Sequence, residues 1–147
     1  MTRAIFYSRV IALAVLIIIG LTMGDAYAQS ADVPTANSVI VYYFHTNYRC
    51  TNCYNMEKWT KELMETRFKD QVVGGKVALK IFNTDEKANQ HFLNDYKLYT
   101  KSVVVTLVKG GKEIRYDNLA KIWDYLRSKE KFQKYIGDEI ERYVKEL

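Results

Sequence analysis

The sequence predicts an α/β fold: a central mixed four-stranded sheet flanked by helices, with an extra C-terminal helix. Three observations predict it. Short runs of β-branched and aromatic residues alternate with stretches of helical period. The order reads strand, helix, strand, helix, strand, strand, helix, and then a tail helix. A strand–helix–strand unit followed by a helix and a hairpin gives a mixed sheet with helices on both faces.

The first strand is Ser38-Val39-Ile40-Val41-Tyr42-Tyr43-Phe44-His45, an apolar run with no charge until Arg49. A helix follows from Thr51 to Phe68. Its apolar residues Met56, Trp59, Leu63, Met64 and Phe68 share one face, and Glu57, Lys58, Lys61, Glu62 and Glu65 fill the other. Gln71-Val72-Val73-Gly74-Gly75 reads as a turn. Lys76 to Phe82 is the second strand. Asn83-Thr84-Asp85 signals a loop and a cap for a helix from about Glu86 to Tyr96, which would bury Ala88, Phe92, Leu93 and Tyr96. Ser102 to Val108 is the third strand, rich in β-branched residues. Lys109-Gly110-Gly111-Lys112 is a hairpin turn, and Glu113 to Asp117 returns as the fourth strand. Asp117 or Asn118 caps a helix with Leu119, Ile122, Trp123 and Leu126 on one face. Ser128 punctuates it. The tail helix carries Phe132, Ile136, Ile140, Tyr143, Val144 and Leu147, with Gly137 inside it for close packing.

Residues 1–28 read as a signal peptide, which leaves 29–147 as one domain. Arg3 and Arg9 precede an apolar stretch from Val10 to Met23, and Ala26-Tyr27-Ala28 is a small-x-small cleavage site. The stretch is shorter than the roughly 20 residues of a spanning helix. Cleavage before Gln29 is the first reading, and a retained N-terminal anchor is the second. Both export the rest of the chain, to the periplasm or beyond, or to the outer face of a membrane, where disulfides persist. Taking Arg3, Arg9 and Asp25 from the 22 basic and 17 acidic residues leaves 20 and 16, a net +4. No basic run with interleaved aromatics appears, so nucleic acid is not indicated as a partner.

The chemistry lies in Cys50-Thr51-Asn52-Cys53, between the first strand and the first helix. The N–H groups of a helix's first turn have no intrahelical partner, and the macrodipole is positive there. A thiolate at Cys50 is favoured, so its pKa should fall below roughly 8.5. Arg49 would push the same way if it points at the sulfur. Cys53 lies one turn on, within reach of Cys50. The pair is thus a redox-active disulfide in which Cys50 attacks a partner's disulfide and Cys53 resolves the mixed disulfide. Its partner would be a protein thiol or disulfide, such as a reductase or a membrane electron donor, with membrane association only if the N-terminal segment is retained. No further cofactor is expected. A structural disulfide is the bland alternative, although so short a loop stabilises weakly. A metal or metalloid held by Cys50, Cys53 and His45 is the other; His91 would be the fourth zinc ligand, but nothing in its spacing places it nearby.

With Cys-x-x-Cys after the first strand, the element order resembles the thioredoxin fold over nearly all of 38–147. Tyr-Tyr-Phe-His, Arg-Cys-x-x-Cys, Glu57, Tyr99 to Val104, and Asn118-Leu119-x-Lys121-Ile122-Trp123 look like small exported proteins of the ArsF family. These are named as nitrophenyl compound nitroreductase subunits, which implies a redox accessory role. Two departures from thioredoxins stand out. Ser102 occupies the place of their cis-proline, and a cis bond there costs roughly 2.5–4 kcal/mol, so a trans or rearranged loop is expected. The buried acid of their first strand is missing among Val41, Tyr42, Tyr43 and Phe44, and Glu57 is a weak substitute. Arg49, His45 and Ser102 are therefore the residues expected to tune the pair.

Overall fold

The computed structural model describes residues 37–147. The signal peptide expected at 1–28 and the lead-in to Ala36 lie outside the described residues. The strands are β1 Ser38–His45, β2 Val77–Asn83, β3 Ser102–Lys109 and β4 Lys112–Asn118. The α-helices are α1 Thr51–Thr66, α2 Lys69–Val73, α3 His91–Asp95 and α4 Lys129–Val144, with 3-10 turns at Lys87–Asn89 and Ala120–Tyr125. The sheet order is β2-β1-β3-β4. β1 is parallel to β2 and antiparallel to β3, and β3 is antiparallel to β4. This is a thioredoxin-like topology, with α4 as the extra C-terminal helix.

β1 is central, so it is buried on both faces, which is why it reads as an unbroken apolar run. Alternate side chains serve different cores. Val39, Val41 and Tyr43 join Met56, Leu63, Phe132, Ile136 and Ile140 under α1 and α4. Ile40, Tyr42 and Phe44 join Tyr96, Leu98 and Val104 on the opposite face.

Several elements differ from the sequence reading. The long first helix stops at Thr66, and Gln71 to Val73, expected in a turn, belong to α2. The turn itself is Gly74-Gly75, where Gly75 adopts a φ of 69° and the Lys76 N–H donates to the Gln71 carbonyl (2.8 Å). The helix expected over 86–96 is a 3-10 turn and the five-residue α3. Ala88 and Leu93 are exposed there, Phe92 is half-buried and Tyr96 is buried. No side chain caps either piece, because Asn83, Thr84 and Asp85 are engaged elsewhere.

The helix after β4 is also a 3-10 turn, with Leu119 rather than Asp117 or Asn118 at its start. The Asn118 amide donates to the Tyr96 carbonyl (3.2 Å), and the Asp117 carboxylate accepts from Tyr143 and Arg142 (2.7 and 2.6 Å). Both side chains are turned toward those partners, and the Asn118 Oδ1 is left without a donor among the described residues instead of capping the turn. Ser128 does cap α4, its Oγ accepting from the Lys131 N–H (3.3 Å). Gly137 has a packing reason: a Cβ there would overlap the Arg67 guanidinium, which reaches across to Asp138 and Glu141 (3.1 and 2.7 Å).

Candidate active site at a helix N-terminus

Cys50 and Cys53 are disulfide-bonded. Cys50 is the N-cap of α1, with extended backbone (φ −95°, ψ 167°), and Cys53 is the third helical residue. The Cys53 N–H donates to Cys50 Sγ (3.3 Å), and the Cys50 N–H donates to Cys53 Sγ (3.2 Å). The two sulfurs thus play the reciprocal parts of a capping box. No acidic residue lies in the first turn of α1, so no carboxylate competes for the positive end of the helix. Cys53 is fully buried while Cys50 is half-buried, so of the two cysteines only Cys50 is open to the surroundings.

The loop that delivers Cys50 is clamped from the end of β2. The Asn47 N–H donates to Asp85 (2.8 Å), and the Asn83 amide donates to the Asn47 side-chain oxygen (2.7 Å). The Thr84 N–H and hydroxyl both donate to the His45 carbonyl (2.7 and 3.1 Å). Asn83-Thr84-Asp85 was expected to cap a following helix. Instead it holds the strand end and loop that precede the cysteines.

Where the first strand lacks a carboxylate, it supplies a phenol. Tyr43 is fully buried and its hydroxyl donates to the Cys53 carbonyl (2.7 Å). Burial pushes its pKa up to about 12; the Arg49 charge opposes that rise and the Glu57 charge adds to it. Tyr43 therefore stays protonated at neutral pH. It can fix the first turn of α1, but it cannot take a proton from a thiol. The residue-by-residue reading missed this role, although a tyrosine two positions before the strand's end, on the helix-facing parity, was the available signal.

The Arg49 charge is engaged by neighbours other than the sulfurs. It ion-pairs with Glu57, which also accepts from Lys61 (2.7 Å), and its guanidinium lies 4.7 Å from the Tyr54 ring centre. Burial pushes the Glu57 carboxyl up, but hydrogen bonds from Lys61 and Arg49 outweigh it and hold the carboxyl below its ordinary range. Glu57 is thus a committed anion, unsuited to accept a thiol proton near neutrality.

His45 ends β1, and its Nδ1 donates to the Thr46 carbonyl (3.1 Å). Among the described residues, no three His, Cys, Asp or Glu side chains gather where a metal ion could be held. Cys50, Cys53 and His45 are not assembled into a metal site, and neither is His91, whose ring pairs with Asp95 (2.7 Å). Ser102 opens β3 opposite Phe44, is buried, and its hydroxyl donates to the Thr100 carbonyl (2.9 Å). The described peptide bonds are all trans, as the serine in place of proline led one to expect.

The loop before Ser102 has its own anchor. The Trp123 indole N–H donates to the Lys101 carbonyl (3.1 Å), so a residue read as core also fixes this loop. The Lys101 ammonium lies 5.4 Å from the ring centre of Tyr48. Tyr48 and Tyr54, which flank the cysteines in the chain, are exposed.

No family model matches this chain, and no curated relative matches it. Solved structures similar to it include a thioredoxin from Fasciola hepatica, 17% identical, covering 74% of this chain and 84% of that one at a TM-score of 0.47. A second, described as a malarial protein, is 17% identical and covers 55% and 80% at a TM-score of 0.36. The thioredoxin-like fold rests on the strand order and the helix placement described above.

Proposed function

We propose that this chain is an exported thiol–disulfide oxidoreductase. One observation carries the reading: a disulfide at a helix N-cap, with one cysteine half-buried and the other fully buried. In the reduced protein, the Cys50 thiolate attacks a partner's disulfide. That S–S bond breaks, the mixed disulfide forms, and one partner sulfur leaves as a thiolate that takes a proton. Cys53 then attacks Cys50 Sγ and expels the second partner thiolate. The partner gains two electrons and two protons, and the Cys50–Cys53 disulfide closes. The helix N-terminus stabilises the Cys50 thiolate both as nucleophile and as leaving group.

The partner in this reading is a protein thiol or disulfide, such as a reductase or a membrane electron donor, met in the periplasm, outside the cell or at the outer membrane face. The resemblance to the ArsF family supports an accessory role in a redox system. Arg49, His45 and Ser102 act through position: they fix the loops on either side of the pair.

The test is a redox titration of the protein in graded dithiol/disulfide buffers, counting alkylated cysteines by mass. A reversible two-electron transition between roughly −300 and −100 mV is expected. Cys50→Ser should abolish exchange, and Cys53→Ser should accumulate the mixed disulfide. A pair that stays oxidised far below that range would make the bridge structural. A pair that fails to close would favour a module that binds metal or metalloid through its thiols.

A further inference from the structure

Most of the large rings in the molecule are packed. Among the described residues the exceptions are Tyr48, Tyr54 and Tyr99, which are 75%, 58% and 94% exposed. Every other phenylalanine, tryptophan and tyrosine ring there is buried or half-buried. The three exposed rings lie on the two segments that meet at the disulfide end of the sheet. Tyr48 is two residues before Cys50, a backbone span of at most about 7 Å. The Tyr54 N–H donates to the Cys50 carbonyl (3.1 Å), which puts Tyr54 one helical turn beyond Cys50. Tyr99 is on the loop before β3, whose first residue, Ser102, pairs with Phe44 next to the end of β1.

Two of the rings are braced. The Lys101 ammonium lies 5.4 Å from the Tyr48 ring centre. The Arg49 guanidinium, itself ion-paired with Glu57, lies 4.7 Å from that of Tyr54. A ring already held in place loses little freedom when a ligand covers it, and tyrosine adds a hydroxyl that can reach a peptide group. Charge does not dominate these surroundings. Lys101 and Asp85, one cation and one anion on the loops around Tyr48, each lack an ion-pair partner among the described residues. Recognition is left to ring area.

Tyr54 also lines a shallow cleft of about 490 Å³ that follows α1 past Glu57, Lys58, Lys61 and Glu62 to Glu65. From Tyr54 to Glu65 the helix rises about 16 Å, the length of about five extended residues. Glu57 and Glu62 are ion-paired there, and Lys58 and Glu65 offset one another, so the cleft has no dominant sign either.

We propose that Tyr48, Tyr54 and Tyr99 determine the specificity of the exchange reaction, selecting an extended polypeptide with apolar side chains beside its cysteine over small disulfides. The inference rests on the redox reading and names the class of partner for it. The reaction is the one already written: Cys50 Sγ bonds to the partner's sulfur, the partner's S–S bond breaks, and the departing thiolate takes a proton. The partner's cysteine must therefore lie at Cys50. Residues two positions from it extend up to about 7 Å each way, over the tyrosines. A disulfide as small as hydroxyethyl disulfide is too short to cover them.

The experiment follows oxidation of the reduced protein by two probes, counting alkylated cysteines by mass. One probe is the symmetric disulfide of a synthetic peptide whose central cysteine sits between leucines; the other is hydroxyethyl disulfide. Tyr48→Ala/Tyr54→Ala/Tyr99→Ala should slow the peptide reaction about tenfold and leave the hydroxyethyl disulfide rate unchanged. In the unaltered protein, serines in place of the peptide's leucines should slow its reaction by a similar factor. That arm holds whether or not the variant folds. Equal slowing of both probes by the variant, or slowing of neither, overturns the inference, as do equal rates for the leucine and serine peptides. An unaltered protein that reduces neither probe overturns the redox reading, and the inference with it.

Discussion

The two faces of the sheet are covered in different ways. The face beneath Tyr43 carries α1 and α4, sixteen residues each, and buries Met56, Phe132, Ile136 and Ile140. The face beneath Tyr42 is covered by the five-residue α3 and a 3-10 turn, with packing by rings: Tyr42, Phe44, Phe82, Phe92 and Tyr96 lie 4.9 to 6.1 Å apart. Long helices bring a strong N-terminus, so the chemistry belongs to the first face. Aromatic rings bring area and stacked or tilted contact without a helix of any length, so the second face serves stability.

The largest expected difference is in core truncation. Phe132→Ala should cost about 3–5 kcal/mol, since the ring is fully buried and packs edge-on to Trp59. Phe92→Ala should cost about 1–3 kcal/mol, because that ring is half-buried and its thin cover can settle. Urea unfolding of both variants measures this. Equal costs would mean that the aromatic face is as tightly built as the helical one.

A smaller and sharper contrast uses two buried tyrosines, each with one 2.7 Å hydrogen bond. Tyr43 donates to the Cys53 carbonyl and Tyr96 donates to Glu113. Tyr43→Phe should cost about 1 kcal/mol and also slow disulfide exchange, because it frees the first turn of α1. Tyr96→Phe should cost about 1–3 kcal/mol, its partner being a carboxylate, and leave exchange unchanged. Stability and exchange rate measured side by side would show whether the separation of faces holds for function.

The smallest effect is in pH dependence, and its sign differs between the faces. The folded protein holds Glu57 below its ordinary range, so its contribution is present above the unfolded pKa and is lost as pH falls through the folded one. Glu113 is an exposed residue whose carboxylate tucks against Tyr96. Burial first, with the Asp95 charge adding, raises its pKa despite the hydrogen bond from Tyr96. Its contribution is present below the unfolded pKa and is lost as pH rises through the folded one. Glu57→Gln should therefore flatten the acid loss of stability, and Glu113→Gln should deepen it. Denaturation midpoints between pH 3 and 7 measure both signs.

The sequence made the strands and the Cys pair legible because both are local. An unbroken run of Val, Ile, Tyr and Phe declares a strand buried on both sides, and Cys-x-x-Cys at a strand–helix junction declares its own chemistry. It was less informative over 83–96 and 117–126. Asn83, Asp85, Asp117 and Asn118 look like helix caps by type, but each finds a partner distant in sequence: Asn47 for the first two, Arg142 with Tyr143, and Tyr96. A cap residue can satisfy only a few donors or acceptors, and a tertiary claim on it shortens the helix it would have started.

By itself, then, the chain determined the order of elements, the burial of β1, the N-cap position of Cys50 and the hairpin at Gly110-Gly111. These follow from side-chain period, backbone freedom and spacing along a few residues. The tertiary structure alone decided that Tyr43 reaches the Cys53 carbonyl, that Arg49 turns to Glu57, that Trp123 holds the loop before Ser102, and that Cys53 is sealed while Cys50 is not. Each of those is a choice among several polar partners within reach. Which one wins depends on the desolvation and geometry that packing sets, and no local pattern encodes that.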